Sequence, residues 1–229
     1  MVKLYARPDL TERSNAETRR ASIRRAAVRV FAQKGFHAAR VGDIAAEAGV
    51  AHGLLYHYFD SKDTLLEGVF RDTWTAMLAR MREVEESGEP AQEQLRRVAA
   101  VVLRSWRRDP DLVRVLVREV TRTPAIQRQA EEVGHAFEAI ERIIRSGQER
   151  GDLRTDLDAR LAAFVFYGAL EEILTGWVLG QLPDGEEDVA QAERAVVELM
   201  TGGLLAAGAG SGAREPEGPD LVPEHVEGG

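Results

Sequence analysis

The chain contains no cysteine among its 229 residues. Disulfides, thiolate nucleophiles and cysteine-ligated zinc or iron–sulfur centres are therefore excluded. Its five histidines, His37, His52, His57, His135 and His225, form no i, i+4 pair and no metal-ligand spacing, so neither a metal site nor a cofactor is expected. A glycine-rich phosphate loop, a nucleophile elbow and a paired-carboxylate motif are also missing, which argues against an enzyme. Charges interrupt the apolar stretches well short of the ~18 residues a membrane span needs. The opening MVKLYARPDLTERSNAETRR has no apolar segment of the kind a secretory signal carries. No segment alternates like a strand for long. A cytoplasmic, all-α protein without a membrane partner is the expectation.

Charge is unevenly distributed. Residues 1–66 hold 11 Lys/Arg and 7 Asp/Glu, a net of +4, while the rest hold 19 and 31, a net of −12. A basic head can approach phosphates while an acidic body is repelled, although acidic residues also serve solubility.

Helical periodicity starts at Ala21. Ile23, Ala27, Val30 and Phe31 share one face, and Gly35 reads as the stop. Val41, Ile44, Ala45 and Ala48 repeat the spacing over a shorter helix that ends at Gly49. Leu55 and Phe59 mark the buried side of the next helix. Ser61 then caps a long helix to about Glu86, with Asp63 in its electropositive first turn. Further helices are expected over about 91–107, 111–121, 125–150, 158–179 and 187–206, broken at Asp109-Pro110 and Thr123-Pro124. Residues 1–18 read as a flexible arm, 19–66 as a DNA-binding head and 67–207 as a helical body. The tail, 208–229, holds six Gly and three Pro and reads as disordered.

Two short helices joined by a tight glycine turn make a helix-turn-helix, which places its second helix in the major groove of duplex DNA. Three segments at matching mutual spacing, VFAQKGF (30–36), VGDIAAEAGV (41–50) and LLYHYFDSKDTLL (54–66), resemble the TetR family of bacterial transcriptional regulators. The resemblance implies a three-helix N-terminal head and a helical ligand-binding and dimerisation domain. It places Ala51, His52 and Gly53 nearest the base edges; Leu54, more apolar than the family's usual residue there, could touch a thymine methyl or pack inward. Tyr56, His57, Arg40 and Lys62 would meet phosphates, with Arg20 or Arg24 also in reach of the backbone. Ala51 and Arg40 stand where the family usually has Ser or Thr; an alanine cannot cap, which typically costs ~1 kcal/mol. Tyr58 and Phe59 read as core, and Arg25 and Arg29 as a solvated face.

The same resemblance implies an effector pocket and a homodimer interface in the body. Large apolar side chains are the pocket candidates: Trp74, Leu78, Leu103, Trp106, Leu112, Leu116, Phe137, Phe166, Leu170 and Trp177. Glu119 and Glu171 lie inside apolar stretches and need a partner if buried, either a neighbouring arginine or a polar group on the effector. The apolar helix 158–179 and the last helix supply the interface candidates, Ala162, Phe166, Ala169, Ile173, Ala192, Val196, Leu199 and Met200. The segment RLAAFVFYGALEEILTGWVL is similar to the FadR-type branch, whose members respond to long-chain acyl-CoA. That similarity implies a small hydrophobic effector, with Arg104, Arg107 and Arg108 available to CoA phosphates. The expected function is a repressor released from a palindromic operator. A sequence-neutral architectural DNA binder and a helical ligand-binding module without regulatory DNA binding are the alternatives.

Overall fold

The computed structural model describes residues 10–119 and 130–204. Nine helices and no strand occur among them. Helix α1 is Leu10–Lys34, α2 is Val41–Ala48, α3 is His52–Tyr58 and α4 is Lys62–Glu85. The body continues with α5 (Ala91–Arg108), α6 (Pro110–Glu119), α7 (Ala130–Arg150), α8 (Ala159–Val178) and α9 (Glu186–Leu204). The break at Thr123-Pro124, residues 1–9 of the arm and the tail 208–229 lie outside the described residues.

The head closes around one small core. Ile23, Ala26, Ala27 and Phe31 of α1 meet Ile44 of α2, Leu55 of α3 and Leu65 and Leu66 of α4, all nearly fully buried. Gly35 and Gly49 stop the first two helices with φ of 78° and 65°. Both angles are left-handed, where a side chain costs about 1 kcal/mol or more. At Gly49 the turn is closed by Gly49 N–H to the Ala46 carbonyl (3.1 Å) and Val50 N–H to the Ala45 carbonyl (3.0 Å). Those two bonds set the angle at which α3 leaves α2.

One correction concerns α1. The arm was expected to reach residue 18, but the chain is helical from Leu10. Residues 17–20 are exposed, so they carry no apolar stripe for a periodicity reading to detect.

The body is built around α5, which packs against α4, α6, α7, α8 and α9. Leu95, Val98, Ala99, Val102, Leu103 and Trp106 form its buried stripe. Pro110 opens α6, where its missing N–H costs nothing, and the Asp109 carboxylate accepts from Leu112 N–H at 3.0 Å. The expectation that no helix could cross a membrane also needs correcting. Ala159–Val178 is long and apolar enough to do so by length and composition. Its Glu171-Glu172 pair interrupts the run without lowering its mean hydropathy enough. Within the fold it is a core helix, with Ala163, Phe166 and Leu170 fully buried.

Helices α5 and α7 meet closely at Gly147. A Cβ there would lie 2.5 Å from the Ala91 Cβ and 2.9 Å from Leu153 Cδ1. On helix propensity alone, Gly147→Ala should stabilise by ~1 kcal/mol. The clash is worth more, about 1–3 kcal/mol, so Gly147→Ala is expected to lower the thermal unfolding midpoint; a raised midpoint would show that the helices can part.

A candidate DNA-reading head and an effector chamber

Helix α3 presents one outward face. Leu55 is 1% exposed and anchors the helix, whereas Ala51, His52, Gly53, Leu54, Tyr56 and His57 all face solvent. The His52 and Tyr56 rings lie 5.4 Å apart on adjacent turns and make a polar aromatic ridge. Ala51 caps α3 without a side-chain bond. Arg40 is exposed at the start of α2, and its own N–H donates to Asp43 Oδ2 at 3.1 Å. The Asp43 carboxyl is held below the usual range by Lys34 and by that backbone donor. Phe59 is buried as expected, while Tyr58 is half-buried beneath the Arg20 guanidinium, 5.9 Å from its ring centre.

Two basic residues expected at phosphates are engaged elsewhere. Lys62 Nζ donates to the carbonyls of Phe36 (2.7 Å), His37 (3.2 Å) and Ala39 (3.2 Å), and lies 4.5 Å from the centre of the Phe36 ring. An ammonium has three donors, and all three are used. Lys62 thus ties the first turn of α4 to the connection between α1 and α2. Arg24 Nε pairs with Asp72 Oδ2 of α4 at 2.8 Å. Arg29 pairs with Glu47, while Arg25 is exposed.

The body holds a half-open cavity of about 420 Å³, within the usual range for small-molecule sites. Four helices each give it one stripe at i, i+4 or i, i+4, i+7 spacing: Thr73, Met77 and Arg80 on α4; Val101, Ser105 and Arg108 on α5; Leu112 and Leu116 on α6; and Tyr167, Glu171 and Leu174 on α8. Of the pocket candidates, Trp74, Leu112, Leu116 and Glu171 line this space. Leu103, Trp106, Phe166, Leu170 and Trp177 do not; each is at most 4% exposed and fills the core. Leu78 faces a separate polar cleft of about 200 Å³ with Arg82, Glu85 and His135. Phe137 stacks on Phe164 at 4.1 Å, and buried Glu119 lies off the cavity wall. The missed residues, Met77, Arg80, Tyr167 and Leu174, sit one position round from the bulky ones. Their signal was the stripe beside the core stripe.

Two arginines on the cavity rim, Arg80 and Arg108, are exposed and make no ion pair among the described residues. Arg104 does not share this position. Its Nε and Nη2 donate to the two carboxylate oxygens of Glu193, both at 2.8 Å. Arg107 reaches the Asp184 carbonyl at 3.5 Å. Burial raises the Glu171 carboxyl above its ordinary value, with Glu172 adding to the effect.

Three of the eight expected dimer residues are internal. Ala162, Phe166 and Val196 are buried within the protomer, and Ala169, Ile173, Ala192 and Met200 are half-buried. Only Leu199, 77% exposed, faces outward. The open apolar face lies one position round: Leu161 (63%), Phe164 (47%) and Val165 (52%) on α8, beside Leu199 on α9.

Two family models match this architecture. The model of bacterial regulatory proteins of the tetR family covers residues 23–69, and that of the YsiA-like protein C-terminal region covers 70–203. The chain belongs to the TetR family. It is 30% identical over 181 residues to the fatty acid metabolism regulator protein of Bacillus subtilis, covering 78% of this chain and 92% of that one. It is 26% identical over 200 residues to the HTH-type transcriptional repressor KstR2 of Rhodococcus jostii, covering 86% and 96%. The crystal structure of FadR from Bacillus subtilis with stearoyl-CoA superposes with a TM-score of 0.72 at 29% identity, covering 80% of this chain and 98% of that one. This TetR-family protein is a ligand-responsive DNA-binding transcriptional regulator, not an enzyme.

The geometry separates two roles within the head. Lys62→Met is expected to destabilise the protein by about 2 kcal/mol, because three carbonyls lose a charged donor. Tyr56→Ala should leave the unfolding midpoint unchanged while weakening binding to operator DNA. Thermal melts paired with DNA titrations check both, and an unshifted midpoint for Lys62→Met would show that its bonds contribute nothing.

Proposed function

We propose that this regulator represses transcription from a palindromic operator and is released by a fatty acyl-CoA. The observation that carries the reading is the mixed character of the cavity, an apolar interior with two uncommitted arginines at its rim. An acyl chain suits the interior, and the CoA phosphates suit Arg80 and Arg108. The likeness to a regulator crystallised with stearoyl-CoA supports the same reading.

In this account residues 19–66 read DNA and residues 67–207 bind effector and a second copy. Ala51, His52, Gly53 and Leu54 meet base edges: Ala51 and Gly53 permit close approach, His52 can donate or accept, and Leu54 suits a thymine methyl. Arg40, Tyr56 and His57 meet phosphates, and Lys62 positions the head instead of contacting DNA. A second copy covers Leu161, Phe164, Val165 and Leu199. Two-fold pairing then sets two α3 helices about one duplex turn apart, ~34–36 Å. Effector binding disfavours that spacing only by binding the non-reading arrangement more tightly.

An operator selected from random DNA, followed by titration with acyl-CoAs, tests this. A saturated long-chain acyl-CoA is expected to release the operator and free CoA is not. Arg80→Ala and Arg108→Ala should each raise the acyl-CoA needed about tenfold, the usual worth of a charge-assisted bond. If no acyl-CoA releases the operator or shifts the melting midpoint, the proposal fails.

A further inference from the structure

The cavity wall is not all carbon. Tyr167 and Glu171 are one turn apart on α8 and both line it. Tyr167 is 7% exposed, yet no described residue donates to its hydroxyl or accepts from it. Its ring stands edge-on to Phe137 at 4.8 Å, which limits where the hydroxyl can go. Burial, with Glu171 adding to it, raises the hydroxyl above the ordinary tyrosine value, so it remains a neutral donor at physiological pH. From α4, Trp74 also lines the cavity. It is 7% exposed, and its indole Nε1–H is the one fully buried side-chain polar atom without a partner among the described residues.

Buried polar groups in native proteins are nearly always hydrogen-bonded, so the Trp74 indole calls for an explanation; the Tyr167 hydroxyl, which is not sealed in, lacks a protein partner as well. Both are donors, and an indole N–H can do nothing else. What they lack is an acceptor. The core supplies none, although it satisfies its other tryptophans: Trp106 Nε1 donates to Asp184 Oδ2 at 3.1 Å and Trp177 Nε1 to the Pro183 carbonyl at 3.0 Å. The Trp74 N–H and the Tyr167 hydroxyl, both on cavity-lining residues, have no acceptor among the described residues. A purely hydrocarbon chain would leave them so.

Building on the acyl-CoA reading, we propose that the effector carries a hydrogen-bond-accepting oxygen on its apolar body, a hydroxyl or ketone beyond the thioester, held by Tyr167 and Trp74. The regulator then distinguishes an oxygenated acyl chain from a saturated one, and the Glu171 carboxylate beside Tyr167 can accept from a hydroxyl there.

Operator release by the full-length protein tests this with matched acyl-CoAs of equal length, saturated against hydroxy- or keto-substituted at successive carbons. At least one oxygenated compound is expected to act at a concentration about 3- to 10-fold lower, the usual worth of one hydrogen bond. Tyr167→Phe and Trp74→Phe should each abolish that advantage, so that the oxygenated and saturated compounds act at the same concentration. Equal responses in the unaltered protein would overturn the proposal. So would a Tyr167→Phe variant that weakens both compounds alike, since Tyr167 would then serve the thioester or the fold. If no acyl-CoA of either kind acts, the acyl-CoA reading falls and a second comparison decides this one. Long-chain ketones are set against alkanes of equal length, read as the melting midpoint. A ketone-selective shift lost in Tyr167→Phe supports it, and no selective shift overturns it.

Discussion

Helix α4 carries one continuous apolar core from the head into the body, and the rest of the structure depends on that sharing. Its first turns, through Leu65 and Leu66, close the base of the head. Its middle, through Trp74 and Met77, forms a wall of the cavity. Twenty-four helical residues span about 36 Å, and a continuous helix transmits a tilt along its length. Lys62 fastens its start to the connection between α1 and α2. Arg24 fastens α1 to Asp72, a residue that also lines the cavity. A ligand that moves this helix has to move the head, or break those bonds.

The opposite side of the body is held more firmly. Arg104 grips Glu193 through two parallel bonds, joining α5 to α9. Glu193 is 8% exposed, while the Arg104 side chain lies largely in solvent, so the pair is screened from one side only. Trp106 and Trp177 stack at 6.2 Å, and each donates to the loop between α8 and α9. The face that carries Leu161, Phe164, Val165 and Leu199 is therefore braced against α5.

The fold was largely legible in the sequence because the head announces itself by spacing. Ile44, Leu55 and Leu66 had to meet one core, and Gly35 and Gly49 had to end their helices. What failed to show were properties of space, not of residue type. The bulkiest apolar side chains, Phe166, Leu170 and Trp106, were read as pocket because they are apolar; for the same reason they pack until no space is left. The void lies beside them, along Tyr167, Glu171 and Leu174, where side chains do not meet across the helices. The exposed apolar side chains likewise lie one position round from the interface candidates, since a period of 3.6 identifies a stripe but not which of two apolar stripes faces inward. Lys62 was read as a phosphate contact because it is basic and near a helix start. Nothing local shows that three carbonyls more than twenty residues earlier point at it.

The central claim is mechanical: ligand in the cavity moves α4, and α4 moves the reading helix. Without native cysteine, a single Ala46→Cys on the exposed side of α2 takes one spin label per protomer. The distance between labels in the dimer would be measured free, with operator DNA and with a releasing acyl-CoA. The account predicts one narrow distance on DNA and a displaced distribution when acyl-CoA is bound. A distribution that keeps the DNA-bound distance while the acyl-CoA releases the operator would contradict it.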